Sequence, residues 1–381
     1  METSTTPVRL INWELAAGTA ARLSTPGPKL TPAEAADVVA DLRRHADESV
    51  GHVHRITGLE AARDLRDSQV LIVDRASWAR ANVHSFEALL EPVLRRLAET
   101  KRDQLDAGSV AVGATVTGAE MGSILAFLSS KVLGQYDPFA ALMRAGIAPG
   151  GRLLLVAPNI VEIERELNVE PADFRLWVCL HEQTHRVQFA SAPWLRDHLR
   201  ESIGQLTGGL FDKADGFGDR LRAAARAAVE SRVGRDRRDE ATTPEPGSGA
   251  GLLSVIQDPE DRAVMSHLTA VMSLLEGHAN VVMDAVDASI VPSVKTIRQR
   301  FNDRGANRGA VETWLRRFLG MEAKMRQYAD GQRFVSAVVK RIGMDGFNVV
   351  WEGPENLPTE RELHHPDEWI SRVAGIEPGS S

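Results

Sequence analysis

The sequence predicts a mainly α-helical protein with a small β-sheet beside one central helix. Apolar residues recur at helical spacing in most segments between residues 31 and 342. One or two strands are expected, and the best candidate is the short apolar run at residues 152–156, with glycines before it and a proline after it. A third observation is the helix that begins near residue 171, because it carries two histidines one turn apart.

Three helices are predicted before residue 135. Residues 1–30 are rich in proline, glycine and threonine and predict an extended lead-in, after which a capping box at residues 31–34 starts the first helix. Residues 85–106 predict a second amphipathic helix with Pro92 as a kink. The glycines of residues 109–134 predict a helix packed closely against a neighbour.

The C-terminal half is predicted to contain further helices and a tail. Residues 258–288, 311–328 and 332–342 have helical periodicity, and the many prolines after residue 353 predict a segment on the surface. The sequence therefore suggests five regions: 1–105 (helical), 106–233 (glycine-rich helix, edge strand and two-histidine helix), 234–251 (flexible loop), 252–352 (helical) and 353–381 (proline-rich tail).

Composition excludes several classes of function. The 381 residues are 43% hydrophobic and 25% charged with a net charge of −7, which gives no argument for nucleic acid or an anionic membrane as a partner. A single cysteine, Cys179, cannot form an internal disulfide. The N-terminus has no basic segment followed by an apolar one, and residues 111–128 are too short and polar for a convincing membrane span. We expect a cytoplasmic protein.

The segment HEQTH at residues 181–185 predicts a metal site. His181 and His185 are four residues apart, so their side chains share one helix face with Cβ atoms about 5–6 Å apart and can bind one Zn²⁺. Glu182 can reach a water molecule at that metal and act as a general base. The alternative is a core helix in which two histidines serve only in packing.

A third ligand is expected on the later helix that contains LLEGHANVVMD, residues 274–284. Glu276 and His278 point in nearly opposite directions on a regular helix, so only one of them can face the HEQTH helix. We prefer Glu276, because Asn280 lies one turn later on the same face and could orient a ligand histidine. His278 stays open as the alternative ligand.

Together, six segments resemble a known family. The chain is similar to the gluzincin type of zincin metallopeptidases and, more closely, to an actinobacterial zincin-like family of hydrolases that are described as zinc-dependent metalloproteases or associated with coenzyme F420 biosynthesis. The resemblance implies a mostly helical zincin-like fold with zinc bound by His181, His185 and Glu276 and with Glu182 as general base, and it names no substrate. The matching segments are VDRASWARANVHSF (73–86), KVLGQYDPF (131–139), LLLVAPNI (153–160), LWVCLHEQTHRVQF (176–189), LLEGHANVVMD (274–284) and KMRQYADGQRFV (324–335).

Two tyrosines and one strand are further candidates for a catalytic site. Hydrolysis of an amide needs a donor to the oxyanion, and Tyr136 and Tyr328 are the only tyrosines. The alternative for each is a half-buried structural tyrosine. The strand at residues 153–156 could be an edge strand that pairs with an extended peptide substrate, or an interior strand.

The leading hypothesis is a zinc-dependent hydrolase, a metallopeptidase that acts on a peptide or small amide substrate. A second hypothesis is a non-catalytic binding or scaffolding protein whose zinc has four protein ligands and is structural. A third is a small-molecule amide hydrolase linked to cofactor F420 metabolism. A water-accessible metal position would favour an enzyme, and a fourth protein ligand would favour a scaffold.

Overall fold

Helices dominate the structure, and one three-stranded sheet accompanies them. The computed structural model describes residues 9–100, 107–143, 148–212, 259–306 and 321–375, and the predicted loop at 234–251 lies outside these residues. The mainly helical class with a small sheet is confirmed. Contacts divide the chain into two units, formed by residues 1–25, 75–131 and 203–262 and by residues 26–74, 132–202 and 263–381. The five contiguous regions suggested by the sequence stay a prediction.

In the described part of the chain, the first unit contains three complete helices: α1 (Trp13–Leu23), α3 (Arg75–Thr100) and α4 (Ala107–Ser129). Glycines 118 and 122 of α4 lie against the backbone carbonyls of Asn12 and Ala16, and an added Cβ would come within 2.5 Å of each oxygen. The close helix packing predicted for the glycine-rich segment is therefore confirmed. The extended lead-in is wrong in part, because Asn12 caps α1, which buries Trp13.

Within α4, Val110–Ser129 is long and apolar enough to cross a membrane, judged by length and composition alone. Only 39% of its most apolar window is buried inside the protein. Such a single helix is weak evidence, because core helices of water-soluble proteins pass the same test.

The second unit contains the sheet and the remaining helices. Its elements are α2 (Pro32–Thr57), β1 (Gln69–Val73), β2 (Gly134–Asp137), β3 (Arg152–Val156), α5 (Ala157–Leu167) and α6 (Pro171–Ser191), then the start of α7 (Leu195–Asp212), most of α8 (Pro259–Ala285), α9 (Val294–Ala306), α10 (Met321–Asn348), α11 (Glu360–His364) and α12 (Pro366–Ala374). The predicted capping box of α2 is present in both hydrogen bonds between Thr31 and Glu34.

The strand order of the sheet is β1-β3-β2, with β1 parallel and β2 antiparallel to β3. All five residues of Arg152–Val156 are buried. This strand is therefore central, and the prediction that it is an edge strand is wrong because it bonds to a neighbour on each side. Within the described chain, β1 and β2 are the edges. Helix α6 contacts both β2 and β3, so the sheet lies beside the HEQTH helix as predicted.

The C-terminal tail contributes to the core, in contrast to the surface segment that its prolines predicted. Trp369 of α12 is fully buried, with its ring centroid 5.6 Å from that of Phe334 in α10. Buried Glu362 accepts two hydrogen bonds from Arg372, which ties α11 to α12. Pro366 occupies the first turn of α12, a position where proline starts a helix instead of breaking it.

Candidate metal centre

Helix α6 is buried on most of its surface and held by polar contacts away from the histidines. The guanidinium of Arg175 donates to both carboxylate oxygens of Glu164 at 2.7 and 3.0 Å and to Asp41 at 2.9 Å. The amide of Gln183 donates to the backbone carbonyl of Ala46 at 2.5 Å. Because buried polar groups must find partners, these contacts fix the rotation of α6 about its axis.

The predicted ligands come together on the partly exposed face of α6. Glu276 of α8 places Oε2 3.9 Å from His181 Nε2 and Oε1 3.6 Å from His185 Nε2. The ring centroids of the two histidines are 4.9 Å apart. One potential ligand atom from each of the three residues lies within 4.8 Å of the others. The structure therefore brings together the two nitrogens and the carboxylate that the sequence predicted.

This donor set fits a catalytic zinc site. Ligand atoms at zinc lie about 2.0–2.2 Å from the ion, and two histidines with one glutamate are a known catalytic combination. Among the described residues, only these three form such a cluster of histidine, cysteine and acidic side chains. Their side chains are 16–28% exposed, which leaves access for water and a substrate.

The position of Glu276 depends on a backbone contact between two helices. A Cβ added to Gly277 would overlap the backbone of Gly331 in α10, and one added to Gly331 would overlap the carbonyl of Ser273. Helices α8 and α10 therefore cross with no side chain between them, immediately beside Glu276. Sequence reasoning missed this crossing.

Glu182 lies beside the cluster with its carboxyl group buried. The residue is only 8% exposed. Burial raises the pKa of Glu182 to about 7, the nearby carboxylate of Glu276 adds to the increase, and His185 opposes it. A positive ion at the three ligands would lower this pKa again, so that the group would be a carboxylate at neutral pH. The environment suits a group that accepts and then releases a proton.

Gly134 of β2 provides the space for this carboxyl group. A Cβ at Gly134 would lie 2.5 Å from Cγ, 2.7 Å from Cδ and 2.9 Å from Oε1 of Glu182. Gly134 lies in one of the segments that resemble the family. The sequence alone, however, did not explain why a glycine is needed at this position.

We expect Gly134→Ala to reduce hydrolysis about 10²-fold, because it would displace the Glu182 carboxyl group by the order of an ångström. The affected atoms belong to the end of a flexible side chain, so the fold and the zinc content should be retained. Initial hydrolysis rates, zinc content and the midpoint of thermal unfolding measure the three properties. Wild-type hydrolysis by the variant would show that the position of Glu182 is unimportant.

His278 was the alternative metal ligand, and Asn280 was expected to orient a histidine of the site; the structure places other groups in both positions. His278 is fully buried, with its ring centroid 5.3 Å from those of Phe347 and Trp351 and its Nδ1 3.0 Å from Gln188 Nε2. Burial, with a smaller effect from His185, lowers the pKa of His278 to about 3. His278 therefore belongs to the core and is not a ligand in this arrangement. The side chain that contacts His185 is Gln188, whose Oε1 lies 3.0 Å from His185 Nδ1, where we expected Asn280.

The hydroxyl of Tyr136 is used within the protein. The hydroxyl of Tyr136 donates to the backbone carbonyl of Gly150, and its ring packs on Phe189, so we no longer propose it as an oxyanion donor. Burial raises the pKa of Tyr136 well above its usual value. The side chain of Tyr328 lies outside the described residues, and its role stays a prediction.

Fold and site together define a helical protein with an HExxH-type candidate metal centre. Comparison with known families agrees: residues 11–370 match the family described as zincin-like metallopeptidase, and the chain belongs to this family. It is also similar to a solved structure, a proposed hydrolase with a novel fold from Chloroflexus aurantiacus, with 30% sequence identity, a TM-score of 0.62, and coverage of 96% of this chain and 100% of that chain. No curated protein matches the sequence. These relationships indicate a zinc-dependent hydrolase.

Proposed function

We propose that the protein hydrolyses an amide bond, with zinc held by His181, His185 and Glu276 and with Glu182 as general base. The observation that carries this proposal is the placement of the buried Glu182 carboxyl group next to three converging ligand atoms. Bound zinc would polarise the substrate carbonyl and lower the pKa of a water molecule.

The residues of the chain account for the proton transfers. The Glu182 carboxylate accepts a proton from the attacking water, whose oxygen forms a bond to the carbonyl carbon. The same carboxyl group then gives its proton to the leaving nitrogen as the C–N bond breaks. The products are a carboxylic acid and an amine, and Glu182 returns to its carboxylate form.

A peptide substrate is supported by the sheet. Edge strand β2 begins at Gly134, in contact with Glu182, and extended peptides bind to proteins by adding a strand to a sheet edge. The scaffold hypothesis requires a fourth protein ligand, and the described residues offer three. Cleavage of small N-acyl compounds without cleavage of peptides would favour a small-molecule amide hydrolase instead.

Removal of zinc is the test of this proposal. The purified chain is expected to contain one zinc per molecule, and chelation should abolish hydrolysis of a peptide library until zinc is restored. His185→Ala should lower the zinc content, because it removes one of three ligands.

His267→Ala is the matched control. His267 also pairs with another histidine, with its Nε2 2.6 Å from that of His198, but the described structure shows no acidic side chain that completes a metal cluster there. The zinc content of His267→Ala should equal that of the wild type. A folded wild-type chain without metal, or equal metal loss in both variants, would contradict the proposed site.

A further inference from the structure

We infer that Gln188 is a positioning residue that holds His185 in the tautomer with its proton on Nδ1, so that Nε2 is free to bind a metal before any metal arrives. The same amide joins His185 to helix α8 next to Glu276. The inference deepens the proposed function and rests on it only for the identity of the metal ligands.

The orientation of the Gln188 amide follows from its surroundings. Gln188 is fully buried, and its Nε2 lies 2.8 Å from the backbone carbonyl oxygen of Leu275. A carbonyl oxygen can only accept a hydrogen bond, so the nitrogen end of the amide must face Leu275. The reversed amide would bring two oxygens together at 2.8 Å with no proton between them. The oxygen end of Gln188 therefore faces His185.

This orientation decides which nitrogen of His185 carries the proton. Oε1 of Gln188 lies 3.0 Å from Nδ1 of His185, and a carbonyl oxygen there requires a donor. Nδ1 of His185 must then carry a hydrogen, and in the neutral imidazole this leaves the lone pair on Nε2, which lies 3.6 Å from Oε1 of Glu276. An imidazole in water prefers the proton on Nε2, so the protein selects the less common tautomer.

His278 provides a second fixed point for the amide. The remaining hydrogen on Nε2 of Gln188 points to Nδ1 of His278 at 3.0 Å, and because an amide nitrogen can only donate, this Nδ1 accepts and His278 carries its proton on Nε2. His278 is itself held between the aromatic rings of Phe347 and Trp351. The amide is thus fixed by a backbone carbonyl and by a ring that cannot move without disturbing the core.

The contact also connects two of the three proposed ligands. Leu275, which accepts from Gln188, immediately precedes Glu276 in α8. A single side chain therefore sets the tautomer of the ligand on α6 and the separation between α6 and the helix that carries the carboxylate. Partners that orient metal ligands in this way typically contribute about 10- to 100-fold to metal affinity.

Gln183 is a matched comparison within the same helix. It is also fully buried, donates to the carbonyl of Ala46 and accepts from Arg186, and within the described structure it makes no hydrogen bond to a histidine. Changing either glutamine to methionine keeps the length of the side chain and leaves one backbone carbonyl without its amide donor. Only Gln188→Met removes a partner of His185.

The experiment measures the tautomer of His185 by long-range ¹H–¹⁵N NMR in the full chain, after chelation of zinc and at mildly alkaline pH. In the wild type and in Gln183→Met we expect the proton on Nδ1. In Gln188→Met the proton should move to Nε2, and competition with a zinc indicator should show affinity about 10- to 100-fold weaker. His278→Phe should keep the Nδ1 tautomer, because the Leu275 carbonyl still orients the amide.

A proton on Nε2 of His185 in the wild type would overturn the inference, and this result does not depend on whether any variant folds. The inference would also be overturned by equal loss of zinc affinity in the two methionine variants. If the tautomers and affinities are as expected but no amide is hydrolysed, the proposed function fails and the inference stands. Hydrolysis by the wild type, combined with an unaltered tautomer in Gln188→Met, would support the proposed function and overturn the inference.

Discussion

Glu182→Gln is expected to reduce hydrolysis by about 10²- to 10⁴-fold while zinc stays bound at full stoichiometry. Glutamine keeps the shape of the side chain in the space next to Gly134, but its amide cannot accept a proton from water at neutral pH. The substitution also removes a buried titrating group with a pKa of about 7, so the variant should fold at least as well as the wild type. Initial rates on a cleaved peptide, together with zinc analysis, measure the effect.

Glu276→Gln is the control for this prediction, because it applies the same chemical change to the other glutamate of the site. Glu276 lies within 3.6–3.9 Å of both histidine nitrogens and is a proposed ligand, so its substitution should weaken zinc binding. If Glu182→Gln keeps its zinc and Glu276→Gln binds zinc more weakly, the two results would distinguish the general base from the metal ligand. Full hydrolysis by Glu182→Gln would exclude Glu182 as the base.

Gly331→Ala is expected to lower the free energy of unfolding by about 3 kcal/mol or more. The new methyl group would fall on the backbone carbonyl of Ser273, and backbone atoms inside a helix cannot rotate away. Helices α8 and α10 would have to separate, which moves Glu276 away from the histidines. Chemical denaturation gives the loss of stability, and zinc titration of the fraction that remains folded gives the loss of affinity.

Gly51→Ala is the matched control, since it also places alanine at a helical glycine of the second unit. No heavy atom outside the local helix lies within 4 Å of a Cβ added at Gly51, which is exposed on α2. Alanine is a better helix former than glycine, so this variant should gain about 0.5–1 kcal/mol. If Gly331→Ala were as stable as Gly51→Ala, the helices would not be in backbone contact.

The sequence predicted the parts of the site that depend on local spacing. His181 and His185 share a face because any regular helix places residues four apart together. The sequence supported only a preference for Glu276 over His278, and the structure places Glu276 beside the two histidines. The rotation of α8 about its axis is set by the contact between Gly277 and Gly331, and these glycines are far apart in the chain.

Long-range contacts explain the features that the sequence did not predict. Gly134 matters because β2 lies against α6, and this register is set by pairing with β3. Gln188 was missed although it follows His185 by three residues and so lies on the same helix face. Gln188 differs from Gln183 because it donates to the carbonyl of Leu275, and this contact forms only when α6 and α8 pack together.

A series of ring contacts and hydrogen bonds links Trp369 of α12 to the candidate metal centre. The ring of Trp369 packs on Phe347, which stacks on His278, and His278 accepts from the amide of Gln188 that contacts His185. Removal of α12 would eliminate one end of this series of contacts. We therefore expect a variant without α12 to bind zinc more weakly than the wild type, because its removal would loosen the contacts that hold His278 and Gln188 beside His185.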